Sequence, residues 1–141
     1  MGDETPNEEE SLLEAFWAVT RRLRERTRAA LEPWNVSPSQ SRAIGVLSRH
    51  GEMQLSALAE HLRIAPRSAT EVVDDLQQRG LVERTPDPGD RRATLLHLTT
   101  AGTAAGDAIR AARHAAAERF FAGLSAADHA ELTRILRQLR E

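Results

Sequence analysis

The sequence predicts a mainly α-helical fold of the α+β class, with about six helices and one small β-hairpin. Three observations lead there. Apolar residues recur at spacings of three and four over most of the chain, the period of an amphipathic helix. They give way to the short runs LVERT and ATLLHL only around the turn-forming PDPGD. Between residues 54 and 98 the order is helix, short turn, helix, hairpin. That order is a winged helix-turn-helix, a module that lays one helix in the DNA major groove with a hairpin beside it.

At 141 residues the chain is long enough for one domain with its own core. It has no cysteine, which excludes disulfides, thiolate metal sites and thiol redox switches. No run of about 18 apolar residues is present, and the N-terminus is acidic where a signal peptide is basic. A soluble, cytoplasmic protein without a membrane partner is therefore expected. The net charge of −2 is unlike that of a DNA binder, but Asp3, Glu4, Glu8, Glu9 and Glu10 put five acids into the first ten residues. The remainder carries 19 bases against 16 acids, a balance of +3. All 19 bases are arginine, whose planar fork suits phosphate and guanine, although codon bias in a GC-rich genome accounts for this more simply. The case for DNA binding therefore rests on arrangement rather than on charge.

Residues 1–10, acidic and containing Pro6, are expected to be a flexible N-terminus. From Ser11, the stripe Leu12, Phe16, Val19 and Leu23 predicts a helix to about residue 31. Arg21, Arg22, Arg24, Arg26 and Arg28 fill its other faces, either as a solvated surface or as groups for DNA phosphate or an anionic ligand. Pro33 ends this helix. Ser37-Pro38-Ser39-Gln40 combines proline at a first helical position with a Ser…Gln capping box, and the helix it opens buries Ala43, Ile44 and Leu47 before stopping at Gly51. A short helix over about 55–62 turns Leu55, Leu58, Ala59 and Leu62 to one face, with Gln54 a poor N-cap.

The next helix starts at Pro66, faces Ala69, Val72, Val73 and Leu76 to the core, and closes at Gly80 in a left-handed cap. Strands are expected at 81–84 and 93–98, joined by a turn over 86–90 that is too long for a two-residue hairpin. Thr99 or Thr100 opens a long alanine-rich helix to Phe121. Ser125 caps a last helix whose stripe is Leu132, Ile135, Leu136 and Leu139. Residues 11–141 thus read as a single domain, with 37–98 as the DNA-binding region. The helices of 11–36 and 99–141 exceed what that module needs for support and are assigned to dimerisation.

With the core face assigned, Arg67, Ser68, Thr70 and Glu71 point outward from the first turns of the second motif helix, where recognition helices commonly meet base edges. Arg67 can fork to guanine, and the helix start favours a phosphate. Ser39 and Gln40, at the start of an earlier helix, join this candidate DNA-binding set. Arg91 and Arg92 sit on the wing, where arginine can enter a narrow minor groove or merely neutralise Asp87 and Asp90. Asp74 and Asp75 must face away from the DNA backbone. The five histidines are scattered, with no HExxH, G-x-S-x-G or glycine-rich phosphate loop, so no catalytic residue, metal site or cofactor is expected. Two alternatives stand beside a DNA-binding regulator. One is a metal-responsive regulator whose ligands converge from distant sequence. The other is a winged helix used only for protein contact, against which the basic outward face speaks.

The run from Leu58 to Gly102 resembles the MarR (multiple antibiotic resistance regulator) family of bacterial transcription factors. Five elements carry the resemblance in order: Leu58-Ala59, Asp74 with Leu76, Gly80-Leu81-Val82-Glu83-Arg84, Asp90-Arg91-Arg92, and Leu98-Thr99-Thr100-Ala101-Gly102. It implies a homodimer with interlocked terminal helices, two winged motifs on one face, and a pseudo-palindromic duplex as partner. It also implies a repressor released by a small aromatic or phenolic effector held between the dimer helices and the motif. Phe16, Trp17, Arg21, Trp34 and His50 are the nearest ligand-binding candidates, although Phe16 and Trp34, as aromatics at helical spacing, read more readily as core. Asp74 is implied to pair with Arg92, so that Asp74, Asp90 and Arg92 brace the wing. The chain departs from the family at Ala65, where many members have a capping Ser or Thr, and lacks the cysteine of the redox-sensing branch.

Overall fold

Helix α1 (Leu12–Ala30) starts at a capping box in the computed structural model, which describes residues 10–141. The Glu14 N–H donates to Ser11 Oγ (3.1 Å), and the Ser11 N–H donates back to the Glu14 carboxylate (3.4 Å). The N-terminus expected to be flexible lies, but for Glu10, outside the described residues. A 3-10 turn over Glu32–Trp34 holds Pro33, and a second capping box, between Ser37 and Gln40, opens α2 (Pro38–His50). This helix buries Ser41 and Val46 as well as the expected Ala43, Ile44 and Leu47.

Helices α3 (Leu55–Leu62) and α4 (Pro66–Gln78) form the helix-turn-helix. Leu58, Ala59 and Leu62 of α3, and Ala69, Val73 and Leu76 of α4, are buried. Arg63 closes α3 in the left-handed region (φ 54°), a conformation uncommon for a residue other than glycine or asparagine. Gly80, expected as a left-handed cap, has φ 73° and follows α4.

The sheet differs from expectation in two respects. It has three strands rather than two, in the order β1 (Met53–Gln54), β3 (Asp90–Leu98), β2 (Val82–Asp87), all antiparallel. A two-residue strand carries no alternation to recognise; pairing of Met53 with Leu96 and Gln54 with Leu95 makes it one. The hairpin turn is also shorter than expected. Asp87 pairs with Asp90, which leaves only Pro88 and Gly89 between the strands. Asp87 accepts the Gly89 N–H (2.8 Å), an Asx turn that folds the chain back early, and an irregularity between Pro86 and Asp87 absorbs the misfit.

Helix α5 (Thr100–Phe121) is capped by Thr99, and α6 (Ala126–Arg140) by Ser125. The fully buried side chains Ile44, Leu58, Leu62, Val73, Leu76, Val82 and Leu96 bind α2, α3, α4 and the sheet into one core, with Ile109 of α5 against it. Leu31 and Trp34 pack at its edge. Helix α1 lies along α5, yet its apolar stripe stays open: Leu12 is 87 % exposed and Trp17 52 %. Leu139 of α6 is 77 % exposed, and Ile135 and Leu136 are also open. No helix among the described residues is long and apolar enough to cross a membrane.

Candidate nucleic-acid interface

Proline at the first helical position sets the entry of α4, and Ala65 offers no side-chain cap. The N–H groups of Arg67 and Ser68 therefore stand open at the positive end of the helix. Both side chains are exposed. The Thr70 hydroxyl donates to the Pro66 carbonyl (3.0 Å) and keeps its lone pairs free, while Glu71 is exposed one turn further on. Arg91 and Arg92 are exposed at the start of β3. Neither forms an ion pair with Asp87 or Asp90 among the described residues. Only the Arg92 backbone N–H meets Asp90, at 3.0 Å from Oδ1.

Asp74 pairs with Arg84, not with Arg92. The Arg84 guanidinium donates to Asp74 Oδ1 (2.7 Å) and, through its other terminal nitrogen, to the Gln77 side-chain oxygen. The reason is strand phase: Arg84 lies two residues after the buried Val82, so it leans toward α4, where Asp74 and Gln77 share a face. Arg92 belongs to the far strand. Of the three residues assigned to bracing the wing, Asp74 alone links it to α4, and Asp90 acts locally.

A second tie was not foreseen. Gln54 Nε2 donates to Asp87 Oδ2 (2.7 Å), fastening the wing tip to the start of α3. That hydrogen bond, with the Gly89 N–H, holds the Asp87 carboxyl below its ordinary range. Arg84→Ala is expected to cost no more than about 1 kcal/mol of stability, because the pair is partly solvated. Amide exchange in β2 and β3 should nevertheless quicken. Unchanged exchange there would mean that sheet pairing and the Gln54 tie hold the wing without Arg84.

Gln40 does not belong with the outward-facing residues. It occupies the third position of α2, so its side-chain oxygen turns back to the Ser37 N–H (2.9 Å) and its amide donates to Asp75. Arg79 also meets Asp75 (3.3 Å) and donates to the carbonyls of Trp34 (3.2 Å) and Asn35 (2.6 Å). Ser39 is half-buried beside this network. Asp74 and Asp75 of α4 are thus each paired with an arginine, while its third acid, Glu71, stays exposed.

The five ligand-binding candidates do not converge. Phe16 and Trp17 meet edge to face at 6.2 Å on the open side of α1, with Arg21 exposed beyond them. Trp34 packs at the core edge, and His50 stacks on His61 at 4.5 Å. A cleft of about 680 Å³ forms instead between α1, α2, α3 and α5, lined by residues that include Ser41, Arg42, His61 and Arg113. The nearest α1 residues lining it are Leu23 and Thr27, about two turns past Phe16, which is why the aromatic pair misses it. Periodicity does not single out Ser41 or Arg113; only packing brings them together.

A helix-turn-helix whose second helix opens without a side-chain cap beside an exposed Arg67, followed by a hairpin with Arg91 and Arg92 exposed, is the arrangement of a DNA-reading class of protein. The MarR family model matches residues 34–93. The transcriptional repressor MdtR of Bacillus subtilis is 27 % identical over 124 residues, 88 % of this chain and 80 % of that protein. The regulator Mb0904 of Mycobacterium bovis is 35 % identical over 104 residues, 74 % of this chain and 68 % of its own length. A crystallised E. coli MarR variant superposes with a TM-score of 0.85 at 23 % identity, over 96 % of this chain and all of that one. That variant in complex with operator DNA gives 0.72 at 22 %, over 91 % and 92 %. The chain belongs to the MarR family of helix-turn-helix transcriptional regulators.

Proposed function

We propose that this regulator is a repressor that binds a pseudo-palindromic duplex as a homodimer and is released by a small acid. The single observation that carries the reading is the outward chemistry of α4 and the wing. Arg67, Ser68, Arg91 and Arg92 are exposed, while Asp74 and Asp75 are occupied by Arg84 and Arg79. A phosphate at the open start of α4 completes the missing cap, and Arg67 reaches base edges from the same turn. The open stripes of α1 and α6 give each subunit an apolar surface for its partner, as the resemblance to dimeric regulators implies. Two α4 helices related by a two-fold axis then meet half-sites about one helical turn, or a multiple, apart.

The effector reading moves from the aromatic pair on α1 to the cleft beside α2. An aromatic or phenolic acid, the class the resemblance implies, finds apolar walls there and arginine for its carboxylate. A cytoplasmic, non-enzymatic role fits this reading.

Titration of a duplex selected from a random pool, repeated across salt concentrations, tests the DNA claim. Affinity should fall linearly in log salt with a slope set by several neutralised phosphates. No binding at low salt would sink the reading. Arg67→Ala should cost about 1–3 kcal/mol at the selected site and relax preference there. Equal loss on selected and random DNA would reduce Arg67 to a phosphate contact.

A further inference from the structure

The cleft beside α2 carries more positive charge than one carboxylate can answer. Its floor is apolar, with Leu23, Ile44 and Ile109, and its rim holds Arg42, Arg49, Arg110 and Arg113. A neighbouring cleft of about 520 Å³ shares Ser41, Arg42 and Arg113 with it and adds Arg24 and Arg28. Six guanidinium groups therefore surround one wall, and neither lining includes an Asp or Glu. In a molecule of net charge −2 this is a local concentration of one sign.

The arginines are little engaged elsewhere. Arg42 donates to the Leu62 carbonyl (2.7 Å) and Arg49 to the Gly45 carbonyl (3.3 Å), so neither meets a carboxylate there. Arg110 donates to Ser48 Oγ (2.8 Å) and lies 3.8 Å from an exposed Asp107. Arg24, Arg28 and Arg113 have no ion-pair partner among the described residues. On the shared wall, Ser41 is 5 % exposed and its buried hydroxyl has no hydrogen-bond partner among the described residues. A buried hydroxyl left unpaired is destabilising, and an acceptor placed in the cleft relieves it.

We propose that the cleft is built for a small organic anion with an apolar body and two or more negative charges, such as an aryl phosphate or an aromatic dicarboxylate. One anionic group lies between Arg42 and Arg113, where Ser41 donates to it. A second reaches Arg24 and Arg28 on one side or Arg49 and Arg110 on the other. The proposal rests on the reading of this cleft as the effector site and adds the charge its ligand must bear.

Calorimetry on the DNA-free protein at fixed ionic strength tests it with four probes of similar ring size: phenyl phosphate, phthalate, benzoate and benzyl alcohol. At least one dianion should bind about tenfold or more tighter than benzoate, and the alcohol weakest. Comparing phenyl phosphate with phthalate separates the phosphate from the dicarboxylate source. Arg113→Gln should weaken the preferred dianion about tenfold or more. Ser41→Ala should weaken it too while raising the melting temperature, because it removes an unpaired buried hydroxyl. Benzoate binding as tightly as either dianion, or full dianion affinity in Arg113→Gln, would overturn the proposal. So would the absence of binding by all four probes. Operator titration of the same preparations is scored separately, so that a protein that binds DNA but no dianion refutes this inference alone.

Discussion

Gly102→Ala is expected to destabilise the fold by about 3 kcal/mol or more and to lower the melting temperature by roughly 10 °C. A Cβ at Gly102 would sit 1.9 Å from the Leu81 carbonyl oxygen and 2.9 Å from its carbon, distances that backbone cannot accommodate without moving. The crowding has a cause. The Thr99 N–H donates to that same Leu81 oxygen (3.1 Å), and the Thr99 hydroxyl donates to the Gly80 carbonyl (2.6 Å). The first turn of α5 is thereby clamped onto the segment joining α4 to β2. Alanine must lift the helix start away and give up those bonds. Thermal unfolding followed by circular dichroism measures the effect, with Gly45→Ala as control, since a Cβ there meets nothing within 4 Å. A melting temperature within 2 °C or so of the parent for Gly102→Ala would refute the account.

Placing glutamate at both Leu136 and Leu139 is expected to leave the single chain folded and to dissociate the proposed dimer. Both side chains are already open in the isolated subunit, so its core loses nothing. A partner packed on the stripe would instead have to bury two unpaired carboxylates. Once monomeric, the protein engages one half-site at a time, and operator affinity should fall by about a hundredfold or more as the second contact ceases to be intramolecular. Sedimentation together with operator titration checks both halves. A variant that still sediments as a dimer would show that α6 does not form the interface.

The reading motif was legible because its signals are local. Ser37 with Gln40, Pro66, Gly80 and Thr99 mark boundaries within one or two residues, and the stripes on α2, α3 and α4 name most of the core. What escaped depends on partners distant in sequence. Met53 and Gln54 become a strand only because Leu95 and Leu96 lie alongside, and Gln54 finds Asp87, 33 positions further along the chain. Asp74 reads as a bracing group from the sequence, but the resemblance points to Arg92 where strand phase selects Arg84. Gln40 carried two meanings at once, an outward polar residue and the third position of a capping box, and the second prevails. Phe16 and Trp17 follow the helical period faithfully, yet period alone does not say whether a stripe faces its own core or another chain.

Arg84 joins β2 to α4, and Gln54 joins the wing tip to α3. The two ties fasten the hairpin to both helices of the reading motif, so the three are held as one unit. In the proposed dimer, a ligand in the cleft beside α2 would then act on the distance between two such units rather than on the shape of either, and duplexes with altered half-site spacing would respond to it differently.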